Sequence, residues 1–125
     1  MTTTTAPAAA VAAAPPAVHA ADGVAVVRIH GRLDRRAVVG TLRAVAEAIR
    51  RGPDGVVADL SAAHVDPEGL VVLALVRRRV ARGGRRFAVA GAGPDLTVLL
   101  DAARVAALYR SYASVGDALG AFRSP

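Results

Sequence analysis

The order of its apolar segments constrains this chain most. After the first sixteen residues, runs with strand character alternate with runs of helical period, and glycine or proline separates nearly every pair. Val24, Val26, Val27 and Ile29 lie in a run of strand formers from Val24 to His30, and Asp22-Gly23 is a hairpin signal joining it to Ala17–Ala21. Gly31 to Asp34 ends that strand, with Asp34 as a cap. Between Arg35 and Arg51 the residues Val38, Leu42, Val45 and Ile49 recur at helical spacing until Gly52-Pro53. Val56–Leu60 reads as a second apolar strand. Asp66-Pro67 is a cap followed by proline at the first helical position, and the register of Leu70, Leu73, Ala74, Arg77 and Val80 predicts a helix to Arg82. Phe87–Ala90 is a further strand, Asp95 to Ala107 a third helix, and Ser114-x-x-Asp117 the opening of a fourth. Strand–helix–strand–helix–strand order requires parallel strands joined by right-handed crossovers. The expected fold is a small single-domain mixed β-sheet of the α/β class, with four to five strands, the first antiparallel, and about four helices.

The domain is expected to occupy residues 17–125. Residues 1–16 hold a Thr run, an Ala-rich run, three prolines and no charged side chain, which reads as a disordered tail. Val18-His19-Ala20 mimics a signal cleavage site, but the basic start of a secretory signal is missing. No apolar run is long enough to span a membrane. The absence of Cys excludes disulfides, thiolate metal sites and cysteine nucleophiles. His19, His30 and His64 have no second ligand at helical or hairpin spacing, and no serine sits in a nucleophile-elbow pattern. Gly91-Ala92-Gly93-Pro94 lacks the third glycine and the Lys-Ser/Thr ending of phosphate-cradling loops. No catalytic apparatus, metal or cofactor is therefore called for. Two Phe, two Tyr and no Trp leave little material for stacking on single-stranded nucleic acid.

Gly31-Arg32-Leu33-Asp34, then Asp59-Leu60-Ser61, then Asp66-Pro67-Glu68-Gly69-Leu70 resembles the STAS domain family, which includes bacterial anti-sigma factor antagonists and domains of sulfate transporters. Gly83-Gly84 before a strand, and Leu100, Tyr112, Ser114, Ala118 and Leu119, fall in register with the same family pattern. The resemblance spans about residues 17 to 122. It implies a cytoplasmic, non-catalytic regulator that binds a protein partner, an anti-sigma factor of the histidine-kinase-like ATPase type, through Asp34, Asp66, Pro67, Glu68 and Gly69. The alternative it implies is a subunit of a larger assembly, such as a stress-signalling scaffold or a transporter complex.

The departures from the family pattern are informative. Where antagonists carry a phosphorylated serine, this chain has Glu68, preceded by Pro67. Glutamate has no hydroxyl to modify, and its single negative charge imitates part of a phosphoserine, which carries about −1.5 to −2. The same residues also satisfy ordinary helix-start preferences, so two readings stand: a fixed phosphomimetic or a plain helix start. The stretch from Ser61 to Asp66 is one residue shorter than the family spacing, which leaves the strand register open. Arg104 replaces a family glycine, and Arg32 replaces a glutamate beside Asp34.

All sixteen cations are arginine, and the net charge is +6. Six of them, Arg77, Arg78, Arg79, Arg82, Arg85 and Arg86, fall within ten residues. That cluster reads first as a solvated face, with Arg77 laying its stem on the apolar side and its head in solvent. Leu42, Val45, Ile49, Val57, Leu70, Leu73, Val89 and Leu99 are the expected core.

Overall fold

The computed structural model describes residues 16–123; the segment expected to be a disordered tail lies outside them, Pro16 excepted. Five strands form one sheet in the order β1-β2-β3-β4-β5: β1 Ala17–Ala21, β2 Val24–Leu33, β3 Gly55–Val65, β4 Arg86–Ala90 and β5 Ser111–Tyr112. β1 is antiparallel to β2, and every later neighbour is parallel. The helices are α1 Val38–Arg51, α2 Pro67–Arg82, α3 Pro94–Ala102 and α4 Val115–Arg123. The expected fold class is the one observed. The hairpin turns on Asp22 and Gly23, whose φ angles of 52° and 82° match the left-handed pair that a two-residue turn between twisted strands requires.

Alternation along the strands divides the apolar residues between two layers. Val27, Ile29, Val56, Ala58, Leu60 and Val89 face α1, α2 and α3 in the main core. Val24, Val26, Val57 and Ala90 face the other way, where α4 covers them with Ala118, Leu119 and Phe122. Val45, Val57, Leu73 and Val89 are fully buried as expected. Leu42, Ile49 and Leu70 flank the core half-buried: on α1 the small residues Ala44 and Ala48 and the buried Thr41 take the line of closest approach to the sheet, and on α2 Gly69, Val72, Leu73 and Val76 do. Leu99 is a correction: the buried positions of α3 are Leu96 and Leu100, one step round the helix.

Both central strands outrun their expected ends, β2 to Leu33 and β3 to Val65. The shortened stretch after Ser61 is thus strand, with one irregularity. Pairing steps from Arg28 with Asp59 to His30 with Ala62, so β3 carries one extra residue there. Asp59 closes this bulge, its Oδ1 accepting from the Ser61 backbone N–H at 3.1 Å and from Ser61 Oγ–H at 2.8 Å. Gly91 then passes so close that a Cβ on it would lie 2.8 Å from Ser61 Cβ.

Helix ends show how local chemistry sets length. α2 stops at Gly83 with Gly84 left-handed (φ 73°); Arg85 N–H donates to the Val80 carbonyl at 3.2 Å and Gly84 N–H to that of Ala81 at 2.9 Å. This paired terminus prefers glycine at its left-handed residue. α3 ends five residues before the expected Ala107 by the same device, Val105 N–H donating to Leu100 and Arg104 N–H to Asp101, both at 3.0 Å. Here the left-handed residue is Arg104, at φ 58°. Arg77 is also corrected: its Nε is buried without a hydrogen-bond partner among the described residues, and its guanidinium carbon lies 5.7 Å from the Tyr109 ring centroid. Burial raises the Tyr109 hydroxyl above its ordinary pKa, an effect that Arg77 partly opposes.

Two stability outcomes follow from this packing. Leu73→Ala should cost about 2–5 kcal/mol in urea unfolding; a loss below about 0.5 kcal/mol would place Leu73 outside the core. A left-handed side chain costs roughly 1–2 kcal/mol, and glycine gives back about 0.4–1 kcal/mol through the freer unfolded chain. Arg104→Gly should therefore stabilise by up to about 1 kcal/mol, read as a rise in melting temperature, and a fall would contradict the assignment of the turn.

Candidate functional site

The site is built where the parallel strands β2 and β3 end side by side. Leu33 pairs with Val65 and Arg32 with His64, so the segments after these strands leave the sheet from adjacent points. Asp34 follows β2. Its carboxylate turns inward, Oδ1 accepting from Arg36 N–H at 3.0 Å, and it caps a 3-10 turn over Arg35–Ala37 that leads into α1. The sequence reading had the helix begin at Arg35; the tighter turn takes its first three residues.

Asp66 follows β3 and caps α2. Its Oδ1 accepts from Gly69 N–H at 2.9 Å, satisfying one of the free amide groups of the first turn. Pro67 comes next, exposed, where its missing N–H costs nothing. Gly69 is buried, and a Cβ there would collide with the Leu33 carbonyl oxygen. Only glycine lets the start of α2 approach the end of β2 this closely. Its contribution to the site is therefore to hold Glu68 and Asp66 against Leu33-Asp34.

Glu68 occupies the first turn of α2 with its side chain 42% exposed, and Arg35 Nε lies 3.2 Å from its Oε2. Arg32 Nη1 lies 3.8 Å from Asp66 Oδ2. The cap Asp66 and the first-turn Glu68 thus each face a cation from the segment around Asp34. Arg35 and Arg32 are 87% and 71% exposed at the side chain, so each pair contributes no more than about 0.2–1 kcal/mol to stability. Their effect is on the field: the surface carries two compensated carboxylates rather than two bare ones. Glu68 also benefits from the partial positive charge of the helix start, worth about 0.3–1 kcal/mol.

Asp34, Asp66, Pro67, Glu68 and Gly69 are all brought together. Arg35 was missed, because its partner stands 33 positions away and only strand pairing makes them neighbours. A cleft of about 340 Å³ borders the site, lined by Arg32, His64 and Asp66 on one side and by Gly93, Asp95 and Leu96 at the start of α3 on the other. Among the described residues no group of histidines and carboxylates is arranged to hold a metal ion, and no helix is long and apolar enough to cross a membrane.

The fold has solved counterparts. An anti-sigma factor antagonist from Mycobacterium paratuberculosis is 26% identical, with a TM-score of 0.74 over 87% of this chain and 93% of that one. A serine-to-glutamate variant of RsbS from Moorella thermoacetica is 23% identical, with a TM-score of 0.71 over 88% and 96%. The phosphorylated form of the Bacillus cell fate determinant SpoIIAA is 15% identical, with a TM-score of 0.63 over 86% and 99%. No curated protein matches the sequence significantly. The STAS domain model matches residues 15–118, which takes in all five strands, α1 to α3 and the whole of the site, and the chain belongs to the STAS domain family.

Proposed function

We propose that this chain is a non-catalytic regulatory module of the anti-sigma factor antagonist type, and that it binds a protein partner through the surface around Asp34, Asp66, Pro67 and Glu68, with Gly69 positioning them. The partner proposed is an anti-sigma factor of the histidine-kinase-like ATPase type, met in the cytoplasm and bound only weakly while Glu68 stands in for the phosphorylated serine, so that the standing level of binding regulates transcription. The observation that carries this reading is the place of Glu68: half-exposed, in the first turn of α2, at the position where the family pattern has its phosphorylated serine. A carboxylate fixed there supplies one negative charge and two acceptor oxygens at all times, so the switch is held in one state rather than set by a kinase. The likeness to the antagonist from Mycobacterium paratuberculosis supports the same class of function.

A second reading, a subunit of a larger assembly, is favoured by the Arg35 pair. A carboxylate held at 3.2 Å from a guanidinium presents less net charge than a phosphoryl group, and suits a permanent interface better than a switch.

Calorimetric titration separates the two. If Glu68 stands in for a phosphorylated residue, Pro67→Ser with Glu68→Ser should gain binding to a cognate anti-sigma kinase, and ATP should reverse it. The fold should lose no more than about 0.3–1 kcal/mol, since serine is acceptable at a helix start. Equal binding by wild type and double variant would make Glu68 part of a remodelled interface, and no binding by either would transfer the chain to the assembly reading.

A further inference from the structure

The arginine cluster divides in two once folded. Arg77 lies against Tyr109. Arg85 donates from Nε to the Ile49 carbonyl at 3.3 Å and from Nη1 to that of Gly83 at 2.8 Å. Arg86 donates from Nη2 to the Phe122 carbonyl at 3.1 Å while its guanidinium carbon sits 4.6 Å from that ring centroid. Arg78, Arg79 and Arg82 remain exposed, without a carboxylate within ion-pair distance among the described residues. α1 packs beside α2 and adds Arg43 and Arg50, equally exposed and unpaired among those residues; the nearby Glu47 is already held by Arg51 at 3.0 Å.

Spacing aligns these charges with apolar residues. On α2, Val71, Leu75, Arg78 and Arg82 follow at i, i+4, i+7 and i+11, opposite the buried stripe of Val72, Val76 and Val80. On α1, Val39, Arg43 and Arg50 do the same opposite Thr41, Ala44 and Ala48. Val39 and Val71 are 65% and 62% exposed, and Leu75 38%. Both helices follow parallel strands and run the same way, so the outer surface is apolar at one end and cationic at the other, over roughly 16 Å along α2.

We infer that the outer face of α1 and α2 is a docking surface for an acidic, amphipathic helix of a protein partner, apolar at one end and carboxylate-bearing at the other. Five like charges on neighbouring helices repel one another, and only those in the last turns are offset by the helix dipole, so an anionic partner relieves a cost the free chain carries. Arginine forks match carboxylates bidentately. A nucleic-acid backbone would use the cations and leave Val39, Val71 and Leu75 idle. A bilayer needs apolar side chains projecting beyond a ring of cations, not set end to end with them. The end-to-end arrangement fits one helix lying lengthwise. The surface stands whether or not the Glu68 reading holds, because none of the five arginines pairs with Glu68.

Fluorescence anisotropy of the full chain tests this with a labelled synthetic helical peptide bearing leucines at one end and glutamates at the other. Phosphatidylglycerol vesicles and duplex DNA serve as competing probes. The peptide should bind, and its glutamine-for-glutamate version should bind about tenfold more weakly, as should Arg78→Gln with Arg82→Gln on the protein. Leu75→Ser should weaken binding several-fold. Circular dichroism melts establish that the variants are folded, and Arg43→Gln with Arg50→Gln provides a second pair on the other helix. No peptide binding, binding indifferent to both arginine pairs, or tighter arginine-dependent binding of vesicles or DNA would overturn the proposal.

Discussion

Everything at the site depends on the parallel pairing of β2 with β3 in the register that sets Leu33 beside Val65. That register is imposed by burial. A one-residue slip of β3 against β2 would turn Val56 and Ala58 out of the main core and Val57 out of the layer under α4. The bulge at Asp59–Ala62 lets the strands keep this register although β3 has one residue more. Gly69 then rests on the Leu33 carbonyl, so the start of one helix is fixed against the end of the neighbouring strand. Asp34, Arg35, Asp66 and Glu68 inherit their positions from that single contact.

The electrostatic character of the surface is a consequence of the same geometry. Asp34 and Asp66 each give one carboxylate oxygen to backbone N–H groups at the start of a helical turn, while Arg32 and Arg35 stand opposite Asp66 and Glu68. A phosphoryl group at the position of Glu68 would bring roughly twice its charge to the same arginine, Arg35. The Arg35–Glu68 pair therefore presents less net charge at this surface than a phosphoryl group there would.

Helix termini tell a parallel story about how much side-chain identity matters. α2 and α3 end with the same pair of backbone hydrogen bonds, one around Gly84 and the other around Arg104. The first is what glycine is suited for. The second is held by the apolar contacts of Leu100 and Val105 in the core, which offset the unfavourable backbone conformation of an arginine. Packing can therefore stop a helix where local preference alone would have carried it on.

The sequence by itself determined the order of the first four strands and the helices, the hairpin at Asp22-Gly23 and the caps at Asp34 and Asp66, because these rest on turn chemistry and hydrophobic period local to a few residues; β5 at Ser111–Tyr112 was not legible in it. It misjudged what depends on distant neighbours. β2 and β3 run on past Gly31 and Ser61 because each supplies the other's hydrogen-bond partners, a gain invisible in either segment alone. Leu99 has the right character for the core but the wrong phase, which only the seating of α3 on the sheet decides. Arg35 next to Glu68, and the separation of the arginine cluster into internally bonded and free members, were likewise settled by tertiary structure. Charge and hydrogen bonding act over a few ångströms, and it is the fold that decides which residues stand that near.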